Sequence, residues 1–461
     1  MRVRSDRSSR LKTRRGRGGL TVLCLVVLGG CTVITVPAEP PGPVAAPPDR
    51  PVPADSGDPT PPFETGPTVP VTLDPVRPFD EIRALWVVRF TLTSEEAVME
   101  MVERADAAGF NTLIVQVRGR ADAFYASALE PRGESVQEPE PFDPLALVVR
   151  EAHARGMAVH AWINTHLVWG PTAPPTSAAH LVNTHPDWLA LPKALGRELL
   201  AVDPFDRSYL DRLVEHAAAN EHAVEGIYSS PSHPEVQDRV HAVWLDVARR
   251  YDLDGLHFDY IRFPSADYDY SLGALERFRL WVRAALEPDR FAALDAAYAR
   301  DLYAFVEGES ELWDSFRREQ VTTLVERIYR DVKALNPRLV VSAAVIADRE
   351  VAYSDRFQDW VAWLRDGVLD IAVPMAYTPD ASRFVDLVET ARDAAGDRRR
   401  VWAGIGAYMN SPEGTLEMID IARAENTGGV VLFSYDWVVG EGAGDPSNPL
   451  LERIGRARFG R

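Results

Sequence analysis

Apolar runs of six to eight residues alternate with longer amphipathic stretches along the chain from Asp80 onward. Short runs rich in Val, Ile and Leu indicate buried parallel strands, and the amphipathic stretches have the period of helices. The pattern predicts eight strands, at Ile82–Arg89, Asn111–Arg118, Met157–Asn164, Leu253–Asp259, Leu339–Ile346, Leu369–Ala376, Val401–Ala407 and Val430–Asp436.

Helical stretches lie between these strands. Ser94, Ser315 and Ser354 are candidate N-cap residues, and Gly109 and Gly156 stand where two helices should end. The predicted helices are Ser94–Ala108, Pro144–Arg155, Val236–Arg250, Ser315–Leu335, Arg356–Arg365, Val385–Ala395 and Glu413–Ala424.

Eight strands that are each followed by a helix predict an α/β fold, a (β/α)8 TIM barrel with long βα-loop insertions. The alternative is an open doubly wound sheet, but no glycine-rich phosphate turn follows the first strand. The excess over a barrel of about 250 residues falls mainly in loops 119–142, 165–205 and 260–314. In a barrel these loops open on the C-terminal face, where active sites form.

The N-terminal part of the chain has a different composition. Residues 1–19 carry eight basic side chains, and a short apolar run follows from Leu20 to Leu28. This run is shorter than the roughly 20 residues that span a bilayer, so residues 1–30 are predicted to be a signal peptide. Leu28-Gly29-Gly30-Cys31 resembles a bacterial lipobox, in which the Cys thiol accepts lipid. The alternative is a buried Cys in an apolar helix.

A proline-rich segment separates this signal from the rest of the chain. Residues 32–79 hold 15 of the 35 prolines, which is typical of a semi-rigid extended linker. Residues 31–79 are therefore predicted to be a lipidated Cys and its linker, and residues 80–461 the folded domain. Thr32 beside Cys31 favours sorting to the outer membrane. The expected protein is an outer-membrane lipoprotein that faces the periplasm.

Composition and charge exclude several classes of function. The chain is 46% hydrophobic and 26% charged, as globular proteins are, and its net charge of −18 argues against a nucleic-acid partner. Two cysteines cannot build a disulfide framework or a thiolate metal site, and no HExxH motif is present. We therefore expect neither a metal ion nor a cofactor.

One predicted strand ends in a carboxylate. Side chains alternate along a strand, so His257 and Asp259 share a face, and Asp259 lies at the C-terminal mouth of the predicted barrel. A catalytic role is favoured over structural pairing with Arg262, because an inward-facing acid is costly without a purpose.

The same alternation places more polar and aromatic residues on the inward face. Together they predict a polar, aromatic-lined pocket of the kind that a sugar needs. For each residue alone, a satisfied buried polar group or core packing is the alternative. Pro374 is unexpected inside a central strand. The inward set includes Gln116, Arg118, His160, Trp162, Asn164, Ser342, Asp348, Tyr377, Asp380, Ser434 and Asp436.

Short segments spread over the predicted barrel carry a family resemblance. They are Arg83-Ala-Leu-Trp86, Gly109-Phe-Asn-Thr112, Gly156-Met-Ala-Val-His-Ala-Trp162, His185-Pro-Asp-Trp188, Asp254-Gly-Leu-His-Phe-Asp-Tyr-Ile-Arg-Phe-Pro264, Asp370-Ile-Ala-Val-Pro-Met-Ala-Tyr377 and Gly404-Ile-Gly406. With them the chain resembles the glycosyl hydrolase-like 10 family over most of residues 80–440. The resemblance implies a TIM barrel, glycoside hydrolysis and frequent lipoprotein anchoring. It makes Asp259 the strongest functional position and leaves the second carboxylate open.

Cleavage of a glycosidic bond by two carboxylates is the predicted chemistry. Asp259 is the expected nucleophile or electrostatic stabiliser, and Arg118 or Arg262 is expected to lower its pKa. The acid/base is expected to be Asp348 or Asp380, with Glu350 and Asp436 as further candidates. The expected substrate-binding residues are Arg118, Trp162, Asn164, His257, Tyr260, Arg262, Tyr377 and Asp436.

The expected location suggests the substrate. A lipoprotein that faces the periplasm meets one abundant polysaccharide, peptidoglycan, so its glycan strands are the predicted substrate. The alternative is a lipoprotein of the cell envelope that binds glycan without cutting it. A purely structural wall-organising lipoprotein is a third possibility, which the inward polar residues disfavour.

Overall fold

The computed structural model describes residues 80–137, 139, 141–221, 223–397, 400–440 and 449–460. The predicted signal peptide, Cys31 and linker lie outside this part of the chain. The strands are β1 Ile82–Val87, β2 Thr112–Arg118, β3 Ala158–Asn164, β4 Leu167–Trp169, β5 Ile227–Tyr228, β6 Gly255–Asp259, β7 Val340–Val345, β8 Ile371–Pro374, β9 Trp402–Gly406 and β10 Gly429–Phe433.

Helices connect the strands and cover the sheet. They are α1 Glu95–Ala107, α2 Pro144–Ala154, α3 Leu181–Thr184, α4 Lys193–Leu199, α5 Arg207–Ala219, α6 Pro234–Arg250, α7 Leu272–Val282, α8 Pro288–Tyr298, α9 Ala304–Gly308, α10 Ser310–Leu335, α11 Arg349–Ser354, α12 Trp360–Arg365, α13 Ala381–Ala395, α14 Pro412–Ala424, α15 Tyr435–Val439 and α16 Leu450–Ile454. None of the helices in the described ranges is both long and apolar enough to cross a membrane.

Eight parallel strands form one sheet in the order β8-β7-β6-β3-β2-β1-β10-β9. The two ends of this order meet, because isolated bridges join Ala372 to Val401 and Met375 to Gly404. The order follows the chain without a reversal, whereas a doubly wound sheet reverses at a switch point. The predicted TIM barrel is therefore confirmed.

The joint between β8 and β9 is the irregular part of the barrel. Pro374 ends β8 and has no N–H to donate to a neighbouring strand. Directly after it, the N–H of Ala376 is shared between the carbonyl oxygens of Pro374 and Gly404. The strand predicted to run to Ala376 thus stops two residues early, and this irregular backbone accounts for the proline.

Side-chain alternation produces two apolar layers. Outward residues such as Leu85, Val115 and Phe258 pack in the large core under the helices. Inward residues fill the barrel itself, and Trp86 and Trp162 are the bulky members of this smaller cluster. A Cβ at Gly404 would lie 3.0 Å from the Trp86 ring, so the missing side chain leaves room for that ring.

Three long loops enlarge the C-terminal side of the barrel. The loop 119–143 follows β2, and the loop 165–233 follows β3 and contains the antiparallel pair β4 and β5. The loop 260–309 follows β6 and contains α7 to α9, which share a separate aromatic core with the start of α10. The insertion after β3 is therefore longer than the predicted 165–205.

The helix ends confirm some predicted caps and correct others. Ser94 caps α1, because its hydroxyl accepts a hydrogen bond from the N–H of Ala97 at 3.2 Å. Ser315 lies inside α10 and Ser354 ends α11, and each hydroxyl donates to the carbonyl four residues earlier. The helix predicted from Arg356 starts at Trp360 because Phe357 has a positive φ of 53°.

Candidate active site

A cavity of about 530 Å³ opens where the barrel strands end at their C-terminal edge. Ends of β2, β3, β6 and β10 reach it, together with the loops that follow. Its walls combine aromatic rings, two carboxylates and three guanidinium groups. The lining residues are Trp86, Val88, Arg89, Gln116, Arg120, Trp162, Asn164, Leu167, Glu225, Asp259, Tyr260, Arg262, Ala344, Ile346, Met375, Tyr377, Tyr408 and Phe433.

Asp259 is the buried carboxylate of the cavity. It ends β6, and only 9% of its side chain is exposed. One oxygen, Oδ1, accepts the N–H of Tyr260 at 2.7 Å and Nη1 of Arg262 at 3.1 Å. Burial raises the pKa of Asp259, and the two hydrogen bonds only partly oppose this rise. Arg262 lowers the pKa as predicted, but burial outweighs it, so the pKa of Asp259 is raised overall.

Glu225 is a second carboxylate in the cavity, and sequence reasoning missed it. It lies in the loop 165–233, two residues before β5, and 42% of its side chain is exposed. Its Oε2 accepts a hydrogen bond of 2.6 Å from the hydroxyl of Tyr228, which is buried. Its Oε1 lies 3.8 Å from Nη2 of Arg262.

Arg262 links the two carboxylates. Its Nη1 contacts Asp259 and its Nη2 contacts Glu225, so the carboxylates face neighbouring nitrogens of one planar guanidinium. Because both contacts lead to one guanidinium, the two nearest carboxylate oxygens are at most about 9 Å apart, below the upper limit of roughly 9.5 Å seen in glycosidases. The Arg262 guanidinium also lies 4.2 Å above the ring of Tyr260.

The backbone turns sharply just after Asp259. Tyr260 has a φ of 50°, which is unusual for a residue with a side chain. This turn lets the ring of Tyr260 line the cavity and lets Arg262 fold back onto Asp259, three residues earlier. Backbone strain of this kind is common at functional sites, although Phe357, outside the cavity lining, has a similar φ of 53°.

Aromatic rings form one side of the cavity. Tyr377 stands edge-on to Trp86, with ring centroids 6.4 Å apart, and lies 5.8 Å from both Tyr408 and Phe433. Trp162 meets Phe433 at 6.4 Å. Rings offer apolar faces to the C–H bonds of a sugar, while the carboxylates and arginines offer hydrogen bonds to its hydroxyls.

His257 lies beneath the cavity and does not line it. Its Nε2 accepts a hydrogen bond of 3.1 Å from the Trp86 indole N–H, and its Nδ1 lies 2.8 Å from the Ser342 hydroxyl. Burial holds its pKa well below the usual value, so the ring is neutral. His257 therefore supports the Trp86 ring from below and is not placed to contact substrate directly.

The other predicted binding residues divide into two groups. Trp162, Asn164, Tyr260, Arg262 and Tyr377 line the cavity, where they were expected. The side chain of Asn164 is held by the Trp162 indole N–H at 2.8 Å and by its own bond to the carbonyl of Gly119. Arg118 and Asp436, like His257, do not line the cavity.

Arg118 is turned away from Asp259. The register between β2 and β3 shifts between Gln116 and Arg118, which breaks the simple alternation of side chains. The Arg118 guanidinium pairs with Glu130 at 2.7 Å, and only 1% of each side chain is exposed. Its Nη1 donates to the carbonyls of Asn164 and Thr165. Arg118 thus holds the end of β3 in place, and its predicted interaction with Asp259 was wrong.

Asp348 and Asp380, the predicted acid/base candidates, lie at helix starts outside the cavity lining. Asp348 caps α11, pairs with Arg383 at 2.8 Å and is 41% exposed in its side chain. Asp380 caps α13 through a hydrogen bond of 3.0 Å from the N–H of Arg383. Their carboxylates satisfy helix ends, and Glu225 takes their place as the second carboxylate of the site.

Asp436 is buried behind the cavity wall. It lies in the first turn of α15, since β10 ends earlier than predicted, at Phe433. Its carboxylate accepts hydrogen bonds from the N–H of Val88 at 2.8 Å and from the hydroxyl of Thr91. These bonds tie the turn after β1 to α15, which is a structural role. Within the described residues, no group of three His, Cys, Asp or Glu side chains is arranged to hold a metal ion.

A TIM barrel with a carboxylate pair and aromatic walls at its C-terminal mouth is the architecture of glycoside hydrolases. The chain belongs to the glycosyl hydrolase-like 10 family, whose sequence model matches residues 81–401. The family suggested by the Asp254–Pro264 segment is therefore confirmed.

Curated relatives carry the same name. The chain is 26% identical to glycosyl hydrolase YngK of Bacillus subtilis strain 168 over 330 residues, which are 64% of this chain and 54% of that protein. It is 24% identical to glycosyl hydrolase DigH of Escherichia coli K12 over 355 residues, which are 70% of this chain and 68% of DigH. The match thus spans about half the length of YngK.

Solved structures share the fold at low sequence identity. The PgaB (BpsB) glycoside hydrolase domain from Bordetella bronchiseptica has a TM-score of 0.56 and 14% identity, over 81% of this chain and 98% of that domain. The catalytic domain of β-amylase from Paenibacillus polymyxa has a TM-score of 0.53 and 11% identity, over 83% of this chain and 98% of that domain. These likenesses support the barrel architecture.

Proposed function

We propose that this protein hydrolyses glycosidic bonds of a polysaccharide, with Asp259 and Glu225 as the two carboxylates. The observation that carries the proposal is that both carboxylates contact Arg262 inside one aromatic-lined cavity. Two carboxylates at such a spacing are what glycoside hydrolysis requires, since one protonates the leaving oxygen while the other stabilises or attacks the sugar carbon.

Asp259 fits the part of the nucleophile or base. Its Oδ1 is held by two hydrogen bonds, which leaves Oδ2 as the oxygen available to a substrate. The positive charge of Arg262 supports the ionised form of Asp259. A desolvated carboxylate is a stronger base than one in water, and this property suits attack on a sugar carbon or on a water molecule.

Glu225 fits the part of the acid. It is more exposed than Asp259 and stands on a loop at the rim, so a bound sugar would cover it. The Tyr228 hydroxyl donates to its Oε2 and fixes the carboxyl group, whereas Oε1 lies 3.8 Å from Nη2 of Arg262, beyond hydrogen-bond distance, and is the oxygen that would carry the proton. Such a group can deliver a proton to a glycosidic oxygen that lies between the two carboxylates.

Peptidoglycan glycan is the substrate we propose, and the argument rests on location. The lipobox at Cys31 and the proline-rich residues 32–79 would tether the enzyme in the cell envelope with its cavity facing the periplasm. There the glycan strands of the wall are the abundant polysaccharide. The carboxylate and arginine groups of the cavity suit a polar chain of this kind.

The test uses full-length protein and three variants: Asp259→Asn, Glu225→Gln and Asp348→Asn. Each is incubated with intact sacculi and with peptide-free glycan strands, and released fragments are read by mass spectrometry. We expect products from wild type and from Asp348→Asn, because Asp348 lies outside the cavity lining. We expect Glu225→Gln to lose roughly 10²- to 10⁴-fold in rate, the usual contribution of an acid catalyst.

An aryl glycoside separates the two roles. An aryl leaving group needs little protonation, so Glu225→Gln should keep more of its activity on it than on the natural glycan. Asp259→Asn should be slow on both substrates. Full activity of either cavity variant on the natural glycan would refute its assignment. If wild type released no product but still co-sedimented with glycan, the protein would be a glycan-binding lipoprotein instead.

A further inference from the structure

Two arginines of the cavity are unused by the chemistry proposed above. Arg89 follows β1 and is 8% exposed, and Arg120 follows β2 and is partly buried. Both line the cavity together with the two carboxylates. A buried guanidinium is costly unless an anion or several acceptors compensate its charge, so its partners need to be identified.

Neither guanidinium forms an ion pair with any carboxylate of the described residues. Arg89 donates to the amide oxygen of Gln116 at 2.9 Å, and its guanidinium lies 4.4 Å above the exposed ring of Phe90. The Arg120 guanidinium lies 5.9 Å from the ring of Trp169, and no acceptor among the described residues takes a hydrogen bond from it. Both guanidinium groups therefore face the cavity without a direct ion-pair partner among the described residues.

The nearby carboxylates Asp122 and Asp436 favour the cationic forms of these arginines through their charge, but their oxygens accept backbone N–H groups and form no ion pair with either guanidinium. Asp122 accepts the backbone N–H of Arg120 at 2.7 Å, and Asp436 accepts that of Val88 at 2.8 Å. Burial and, secondly, the charge of Arg120 lower the pKa of Arg89 to about 10, although the charges of Asp122 and Asp436 oppose this lowering. At neutral pH both remain cationic, and an anion bound in the cavity would be attracted by both charges.

Two glycines leave the space that the side chains of these arginines occupy. A Cβ at Gly119 would lie 2.3 Å from Cδ of Arg89, and a Cβ at Gly170 would lie 2.6 Å from Nη1 of Arg120. Each side chain thus lies directly against glycine backbone, in space that any other residue would fill. The local structure is shaped around the two guanidinium groups, which favours a binding role over chance placement at a surface.

We infer that Arg89 and Arg120 form a subsite for a carboxylate carried by a sugar unit of the substrate. The inference rests on the proposed function, because it names a recognition element of the same cavity. Arginine suits this task because its planar fork of donors matches a carboxylate, and because charge-assisted hydrogen bonds are about twice as strong as neutral ones. A neutral polysaccharide would leave both guanidinium groups without a direct ion-pair partner.

The test compares two sugars that differ in one charge. N-acetylmuramic acid carries a lactyl carboxylate, and its methyl ester does not. Binding of each to full-length protein is measured by titration calorimetry. We expect wild type to bind the acid roughly ten- to a hundredfold more tightly than the ester, the range for hydrogen bonds to charged groups. Arg89→Gln and Arg120→Gln should each lose most of this preference, and Arg120→Lys should recover part of it.

Arg207→Gln is the matched control. It removes the same charge from an arginine whose side chain is 82% exposed and which does not line the cavity. It should keep the preference for the acid. Unchanged ester binding in the cavity variants would report that the cavity is still folded.

Equal binding of acid and ester by wild type would overturn the inference. A preference that survives in both glutamine variants would overturn it as well, since the carboxylate would then be bound elsewhere. Hydrolysis is measured separately, which keeps the two proposals distinct. If the protein hydrolysed no glycan but preferred the acid through Arg89 and Arg120, the subsite would be supported and the proposed hydrolysis refuted. If the protein hydrolysed glycan but bound acid and ester equally, the proposed hydrolysis would be supported and the subsite refuted.

Discussion

The buried ion pair between Arg118 and Glu130 offers a direct test of what holds the cavity wall in place. Both side chains are 1% exposed. Nε of Arg118 lies 3.0 and 2.7 Å from the two Glu130 oxygens, and its Nη2 lies 2.7 Å from one of them. We choose Glu130→Gln as the perturbation, because it removes the negative charge and changes the side-chain volume very little.

The expected loss follows from the burial. An exposed arginine would be compensated by water, whereas Arg118 would keep only neutral acceptors, namely the carbonyls of Asn164 and Thr165 and the amide oxygen that Glu130→Gln leaves. Removing one member of a buried pair typically costs about 3–5 kcal/mol, because the remaining charge has no counter-ion. We therefore expect Glu130→Gln to lower the free energy of unfolding by about this amount. Since Asn164 lines the cavity, glycan hydrolysis should weaken too.

Urea unfolding followed by circular dichroism measures the effect. A lower midpoint with an unchanged slope reports a loss of stability alone. Glu307→Gln is the control, because its pair with Arg197 has a similar contact of 2.9 Å but side chains that are 52% and 55% exposed. Exposed pairs of this kind contribute about 1 kcal/mol or less. If Glu130→Gln cost no more than Glu307→Gln, neutral acceptors alone would be enough to compensate Arg118, and the reasoning would be refuted.

Two further predictions concern the site and the anchor. In the proposed mechanism, activity requires ionised Asp259 and is lost as the pH falls through the pKa of this residue. Burial raises this pKa and the charge of Arg262 lowers it, so Arg262→Gln should raise the pKa further and move the loss of activity to higher pH. If the acid limb of the kcat/KM profile fell at the same pH in Arg262→Gln as in wild type, this prediction would be contradicted. Cys31→Ser should abolish incorporation of labelled palmitate and move the protein out of the membrane fraction, while Cys24→Ser should do neither. Labelling of Cys31→Ser would place the lipid elsewhere.

The barrel was predictable because its strands are short, apolar and buried on both faces. Each predicted strand overlaps one observed strand, and alternation placed Asp259, Trp162 and Asn164 at the mouth as expected. Alternation failed at Arg118, where the register shift between β2 and β3 turns the side chain aside. A shift of this kind has no signature in hydrophobicity.

The second carboxylate was harder to predict, for two physical reasons. An Asp between a strand and a helix fits a catalytic strand end and a helix N-cap equally well, and Asp348 and Asp380 are caps. Glu225 lies on an insertion between α5 and β5, where no period relates it to a strand end. The sequence feature that could have pointed to Glu225 is Tyr228, three residues later, whose hydroxyl donates a hydrogen bond to the carboxylate.

The two carboxylates belong to different parts of the protein: Asp259 ends a strand of the barrel, whereas Glu225 stands on a long insertion. Evolution can therefore alter them independently. In the proposed mechanism, mutations or exchanges in the insertion can move Glu225, and with it the distance that decides between retention and inversion, while the strand that carries Asp259 stays the same. Descendants of one ancestral barrel can in this way diverge in stereochemistry and in preferred sugar while they keep the same Asp at the same strand.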